Sequence, residues 1–192
     1  MTAETMTFSE VSKIFGSTDA PKEGDGPDLL LRRIRSFDAR GLVVAQRGAG
    51  GVREGYLDLE QACRCIVFHE LMELGFDGEV LRSLRRALIQ RDDPTGPTAM
   101  GLVIAAIRRG VEPAQVQLVI HRLKRKTPKG YGHVFRFTGI GDGMESRVSP
   151  ENTGHACVTL DLGALLSRFT AGFDTAMAKL RHKAAKSNRI NR

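Results

Sequence analysis

The stretch from Ile34 to Gly75 leaves this chain few ways to fold. It reads as three pieces in order. A basic helix closes at Gly41, where a glycine past the last turn is favoured because it tolerates a left-handed backbone. An apolar run, Leu42 to Ala45, then leads to a tip of Gly48-Ala49-Gly50-Gly51, from which Val52 to Leu57 returns, the pattern of a short β-hairpin. An amphipathic helix follows from about Leu59 to Leu74, capped by Asp58 with Gln61 three positions on and ended by Gly75. Its apolar positions (Leu59, Ala62, Cys63, Ile66, Val67, Leu71, Leu74) recur at intervals of three and four.

The residues before this stretch fit it. Thr7 with Glu10 three positions later predicts a capping box, opening a short helix with Phe8, Val11, Ile14 and Phe15 on one face and Gly16 at its end. Residues 17–27 form a polar Gly/Pro loop, and Asp25 or Gly26 then caps a helix with Pro27 at its first position. In that helix Leu30, Ile34 and Phe37 face inward, while Arg32, Arg33, Arg35 and Arg40 project outward. Paired helices followed by a Gly/Arg-tipped hairpin are the parts of a winged helix-turn-helix. A helix of this kind fits the major groove, where arginine reaches phosphates and guanine edges. Arg47 and Arg53 stand on the hairpin, whose glycines permit close approach to a backbone.

Charge is distributed accordingly. The net of +7 comes from three basic blocks: +4 over residues 29–56, +6 over 98–129 and +6 over 179–192, the last with no acid at all. Such blocks suit a polyanion such as double-stranded DNA; solvated helix faces are the bland counterpart.

The same residues carry a family resemblance. Ile34-Arg35-Ser36-Phe37-Asp38-Ala39-Arg40-Gly41-Leu42 resembles the Leu-Arg-aromatic-Tyr-Glu-x-x-Gly-Leu signature of the MerR (mercury-resistance regulator) family. Gly51-Val52-Arg53 with Tyr56 is similar to that family's wing, and the helix ending Leu74-Gly75-Phe76 to its post-wing helix. Residues 5–90 are covered, about half of the chain. Ser36 stands where the family carries an aromatic. The resemblance implies DNA contacts from Arg35 and Arg40 on the recognition helix and from Arg53 and Tyr56 on the wing, with Phe37 supporting the helix; the outward Arg32, Arg33 and Ser36 and the hairpin Arg47 complete the expected contact set. The expected function is that of a bacterial transcription regulator with RNA polymerase as a further partner; a homodimer is expected because paired half-sites raise the affinity and specificity of one small module.

Beyond Leu88, Arg91-Asp92-Asp93-Pro94-Thr95-Gly96-Pro97 breaks any helix and marks a domain boundary. The expectation is an α+β protein: a winged-helix domain over residues 1–91, an α+β domain over 98–182 and a basic tail over 183–192. The second domain reads as helix (99–109), helix (from Pro113, with Val116, Val119, Ile120 and Leu123 inward), strand (133–138), strand (156–162) and a final helix. That helix carries Leu165, Leu166, Phe169, Phe173, Met177 and Leu180. The strand at 156–162 and the stripe Phe169–Phe173–Met177 are the surfaces expected to mediate self-association.

Other chemistry finds little support. Cys63 and Cys65 sit two apart in a helix and so do not face each other; a small buried hydrophobe is the expected role of Cys63, and Cys65 with His69 one turn on supplies only two ligands, so no metal site is anticipated. His133, His155, Cys157 and Asp161 permit a Cys/His pair, although such residues are more often the solvated side of a sheet. Neither a cofactor nor a catalytic residue is expected. Nor is a membrane partner, since no apolar run approaches the ~20 residues a span needs. A cytoplasmic, nucleoid-associated protein follows, with an architectural excisionase-like factor, a protein–protein adaptor, or an effector-sensing domain or small enzyme over residues 130–178 as the alternatives.

Overall fold

The computed structural model describes residues 4–18, 27–47, 55–91, 93–127, 130–140 and 153–190. It is an α+β protein with two three-stranded antiparallel sheets. Two compact units divide it: Met1–Ile66 with Arg168–Arg192, and Val67–Ser167. No helix among the described residues is long and apolar enough to cross a membrane.

The first unit opens with strand β1 (Met6–Thr7) and helix α1 (Phe8–Thr18). The capping box is present in full. The Thr7 backbone N–H donates to Glu10 Oε2 at 2.8 Å, and the Glu10 N–H donates back to Thr7 Oγ1 at 3.2 Å. Gly16 does not end the helix, which continues to Thr18 with a right-handed backbone. Residues 19–26, most of the expected loop, lie outside the described residues.

Helix α2 (Pro27–Ala39) buries Leu30, Ile34 and Phe37. Gly41, at φ +67°, ends it as expected: its N–H donates to Asp38 O at 3.0 Å and the Leu42 N–H to Phe37 O at 2.8 Å. This is a Schellman motif, and its usual apolar contact is supplied by the buried pair Phe37 and Leu42. Strand β2 (Gln46–Arg47) and strand β3 (Gly55–Leu57) follow, with β3 central between β1 and β2. The expected strand at Leu42–Val44 is displaced. Leu42 and Val43 turn into the core, the Val44 N–H is taken by Gln61 Oε1 at 3.2 Å, and the Ala45 N–H by Asp38 Oδ1 at 3.2 Å. With those donors satisfied by side chains, no ladder forms until Gln46. Gly55 is required by close approach: a Cβ there would sit 2.5 Å from the Phe8 ring and 2.7 Å from Ala45 Cβ.

Helix α3 (Leu59–Glu73) is capped by Asp58, which accepts the Gln61 N–H at 2.8 Å. Every residue from Ala62 to His69 is buried. The helix is therefore not one-sided, which accounts for Cys63 and Cys65 both being interior. The chain passes from the first unit to the second within it.

In the second unit, helix α4 (Gly78–Ile89) begins at the N-cap Asp77, whose carboxylate accepts from the Glu79 and Val80 N–H groups. Helix α5 (Ala99–Arg108) is capped by Thr98. Residues 91–97 are not a boundary between units. Asp93 accepts from Thr95, and the Ala99 N–H reaches Gln90 O at 3.0 Å, so the prolines break one helix only to turn the chain into the next.

The helix expected from Pro113 is instead a single 3₁₀ turn (Pro113–Gln115) followed by strand β4 (Gln117–Thr127). Val116, Leu118 and Ile120 are buried on one face, a period of two. The β-branched Val116, Val119 and Ile120 fit both periods locally, and the strands on either side decide between them. Those are strand β5 (Gly130–Thr138) and strand β6 (Thr153–Asp161), in the order β5-β4-β6. Most of the glycine-rich loop before β6, residues 141–152, lies outside the described residues.

Helix α6 (Leu162–Ile190) returns the chain to the first unit. Its beginning is close-packed: a Cβ on Gly163 would collide with the Pro113 backbone. The stripe expected to mediate self-association is consumed inside the molecule. Phe169, Phe173 and Met177 are buried, at 0, 2 and 8% exposure, and Gly172 brings α6 against Ile14. Leu180 alone of the expected apolar face is exposed. The basic tail remains helical through Ile190.

Candidate nucleic-acid interface

Seven of the eight residues expected to meet DNA are placed by α2, the turn after it and the short sheet. At about 100° per residue, Arg32 and Arg35 point away from the face of Leu30, Ile34 and Phe37. Both are exposed, as is Arg40 just beyond the helix end. Arg32 Nε donates to Asp28 O at 3.3 Å, one turn back, which holds its stem along the helix. Arg33 and Ser36 lie on the flanks and are half-buried. Phe37 is fully buried behind the helix.

The second strand pair positions the rest. Tyr56 is the central rung of the sheet, opposite Thr7 on β1 and Gln46 on β2, and is half-buried. Arg47 stands opposite Gly55, whose missing side chain leaves room for the guanidinium. Arg53 and the Gly48–Gly51 tip lie outside the described residues.

One contact was not legible from the sequence. The Arg47 guanidinium forms an ion pair with Asp38 Oδ2, while the other oxygen of the same carboxylate accepts the Ala45 N–H. Asp38 therefore ties α2 to β2 and ends the basic face on that side. No spacing rule links positions nine apart across an irregular turn, which is why pattern reading misses the pair.

Behind the interface, Cys65 is fully buried. Burial pushes its thiol well above the ordinary range, with Arg64 opposing the shift and Asp38 adding to it. Held in the neutral form, such a thiol is poorly suited to act as a nucleophile. Arg64, almost completely buried, pairs with Glu60 one turn earlier at 2.9 Å.

Of the residues suggesting a Cys/His pair, His133 and Cys157 stand on the two outer strands of the second sheet, with β4 between them. Cys157 is exposed on β6, and its partner across the ladder is His121 of β4, which sequence reading did not single out. His133 opposes Arg122 on the other side of β4 and meets the Phe76 ring edge-on, at a centroid distance of 6.3 Å. Partial burial holds its imidazole below the usual value, against the pull of the Asp77 carboxylate and with the push of Arg122. The side chain of His155 lies outside the described residues.

No protein-family model matches this chain, and no curated protein matches it either. The likeness to the MerR family rests on the residues quoted from the sequence itself.

Proposed function

We propose that this chain is a DNA-binding transcription regulator that lays α2 in the major groove, with the strands after it lying as a wing along the phosphate backbone. The observation that carries the reading is the division of α2 into two faces. Leu30, Ile34 and Phe37 are buried, and Arg32 and Arg35 stand exposed opposite them, with Arg40 beyond the helix end. Arginines so placed on a rigid helix suit bidentate contact with guanine and with phosphate. The element order supports the same reading: capped helix, arginine helix, Schellman turn, antiparallel strands, third helix. It is the order expected of a MerR-like winged helix-turn-helix.

In this reading the protein performs no reaction. It acts as a homodimer, because one small module buries a modest interface and paired half-sites raise affinity and specificity. RNA polymerase is the further partner of such a regulator. With the Phe169–Met177 stripe buried, the remaining surface for self-association is the outer edge of β6, to which no strand pairs among the described residues.

The test is recovery and sequencing of genomic fragments bound by the purified protein at two salt concentrations. The expected result is one enriched, partly palindromic site that survives the higher salt. Substitution Arg35→Ala should weaken binding to that site by about 1–3 kcal/mol. Broad binding that fades with salt would mean phosphate contact alone, an architectural role. Absence of any bound fragment overturns the reading in favour of a protein-binding adaptor.

A further inference from the structure

The last acid of the chain is Asp174; beyond it α6 carries only basic charge. Lys179, His182, Lys183 and Lys186 fall at intervals of three and four and line one shallow open groove on the helix surface, together with Thr175 and Ala178. Their positions lie about a quarter to a half turn round the helix from the mean direction of Phe169, Phe173 and Met177, which are buried. Lys179, His182, Lys183 and Lys186 are all exposed. Among the described residues no carboxylate pairs with the three lysines; Glu4 pairs with Arg181, to one side of them. Like charges at Lys179/Lys183 and Lys183/Lys186 repel along a helix at these spacings. A helix that keeps them there, in register and without counter-charge, presents a surface whose repulsion a polyanion removes.

We infer that this lysine stripe of α6 is a second phosphate-binding surface for duplex DNA, carried by the same compact unit as α2. The inference rests on the DNA-binding reading above and assigns it a contact that the resemblance does not include. Lys179 to Lys186 spans about 10.5 Å of helix, which matches about three phosphate charges of one DNA strand. Three lysines therefore meet three phosphates without a change in helix geometry. A membrane surface is the weaker fit. A helix that lies in a bilayer interface needs a free apolar face, and the apolar residues Phe169, Phe173 and Met177 of α6 are already buried, with Leu180 the exposed exception.

The experiment compares the full-length protein with a Lys179→Gln/Lys183→Gln/Lys186→Gln variant by fluorescence anisotropy on a mixed-sequence duplex over a salt series. Glutamine matches lysine in helix propensity, and circular dichroism checks that α6 persists. The expected result is weaker binding to all sequences alike, with the slope of log K against log salt reduced by about 2.7. An unchanged slope in the variant, with wild-type binding intact, overturns the stripe and leaves the α2 reading standing. Failure of the wild-type protein to bind any duplex overturns both. In that case lysine-dependent binding to phosphatidylcholine/phosphatidylserine vesicles would reassign the stripe to a membrane surface.

Discussion

Asp38 does three things with one carboxylate. It ends the basic face of α2, accepts the Ala45 N–H and holds Arg47. The pair is half-open to water, with the arginine side chain 53% exposed, so it contributes at most about 1 kcal/mol to stability. Its larger effect is on charge: an arginine expected to meet phosphate is held by an acid of its own unit. Substitution Asp38→Asn retains an acceptor for Ala45 and releases Arg47. In DNA titrations over a salt series the variant should steepen the slope by about 0.9, one added phosphate contact. Its urea midpoint should fall only slightly. A slope equal to that of the wild type would mean that Arg47 points away from DNA whatever Asp38 does.

Among the elements, helix ends follow local rules. Thr7 and Glu10 form the box that their spacing predicts, and Asp58 and Asp77 cap α3 and α4. Gly41 and Gly75 adopt the left-handed backbone that stops α2 and α3, with φ of +67° and +83°. At Gly41 a Cβ would meet nothing within 4 Å, so a substitution there is strained by backbone alone. Gly41→Ala should cost about 1–2 kcal/mol in urea unfolding, and Gly41→Asn distinctly less, since asparagine tolerates this region. Equal losses for the two would point to packing around the Phe37–Leu42 contact instead. Strands are less local. The segment after Pro113 carries apolar residues that satisfy both helical and strand spacing, and pairing of β4 with β5 and β6 decides for the strand.

For the whole molecule, α6 matters most, because it returns the chain's end to the unit where the chain began. Phe169 and Phe173 lie in its interior, ring centroids 6.1 Å apart, and Met177 extends the same stripe. Phe173→Ala should therefore destabilise the folded chain by about 3–5 kcal/mol, by the same amount at every protein concentration. A midpoint that rises with concentration in the wild type and not in the variant would return the stripe to a role between subunits. Removal of residues 168–192 should have the same sense as Phe173→Ala and a larger size.

Much of the candidate site was legible in the chain alone. The α+β class, the ends of α2 and α3, and the exposed Arg32, Arg35 and Arg40 behind a buried Leu30–Ile34–Phe37 face all follow from interactions within four or five residues: periodicity, caps and left-handed glycines. Tertiary structure decided what depends on partners far away in sequence. It made a strand of residues 117–127, brought β1 against β3, buried Leu42 and Val43, joined Asp38 to Arg47, and buried Phe169, Phe173 and Met177 in the unit of the N-terminus. The physical reason is the same throughout. A backbone donor or an apolar face must be satisfied somewhere, and a one-dimensional pattern shows that need without showing which distant segment meets it.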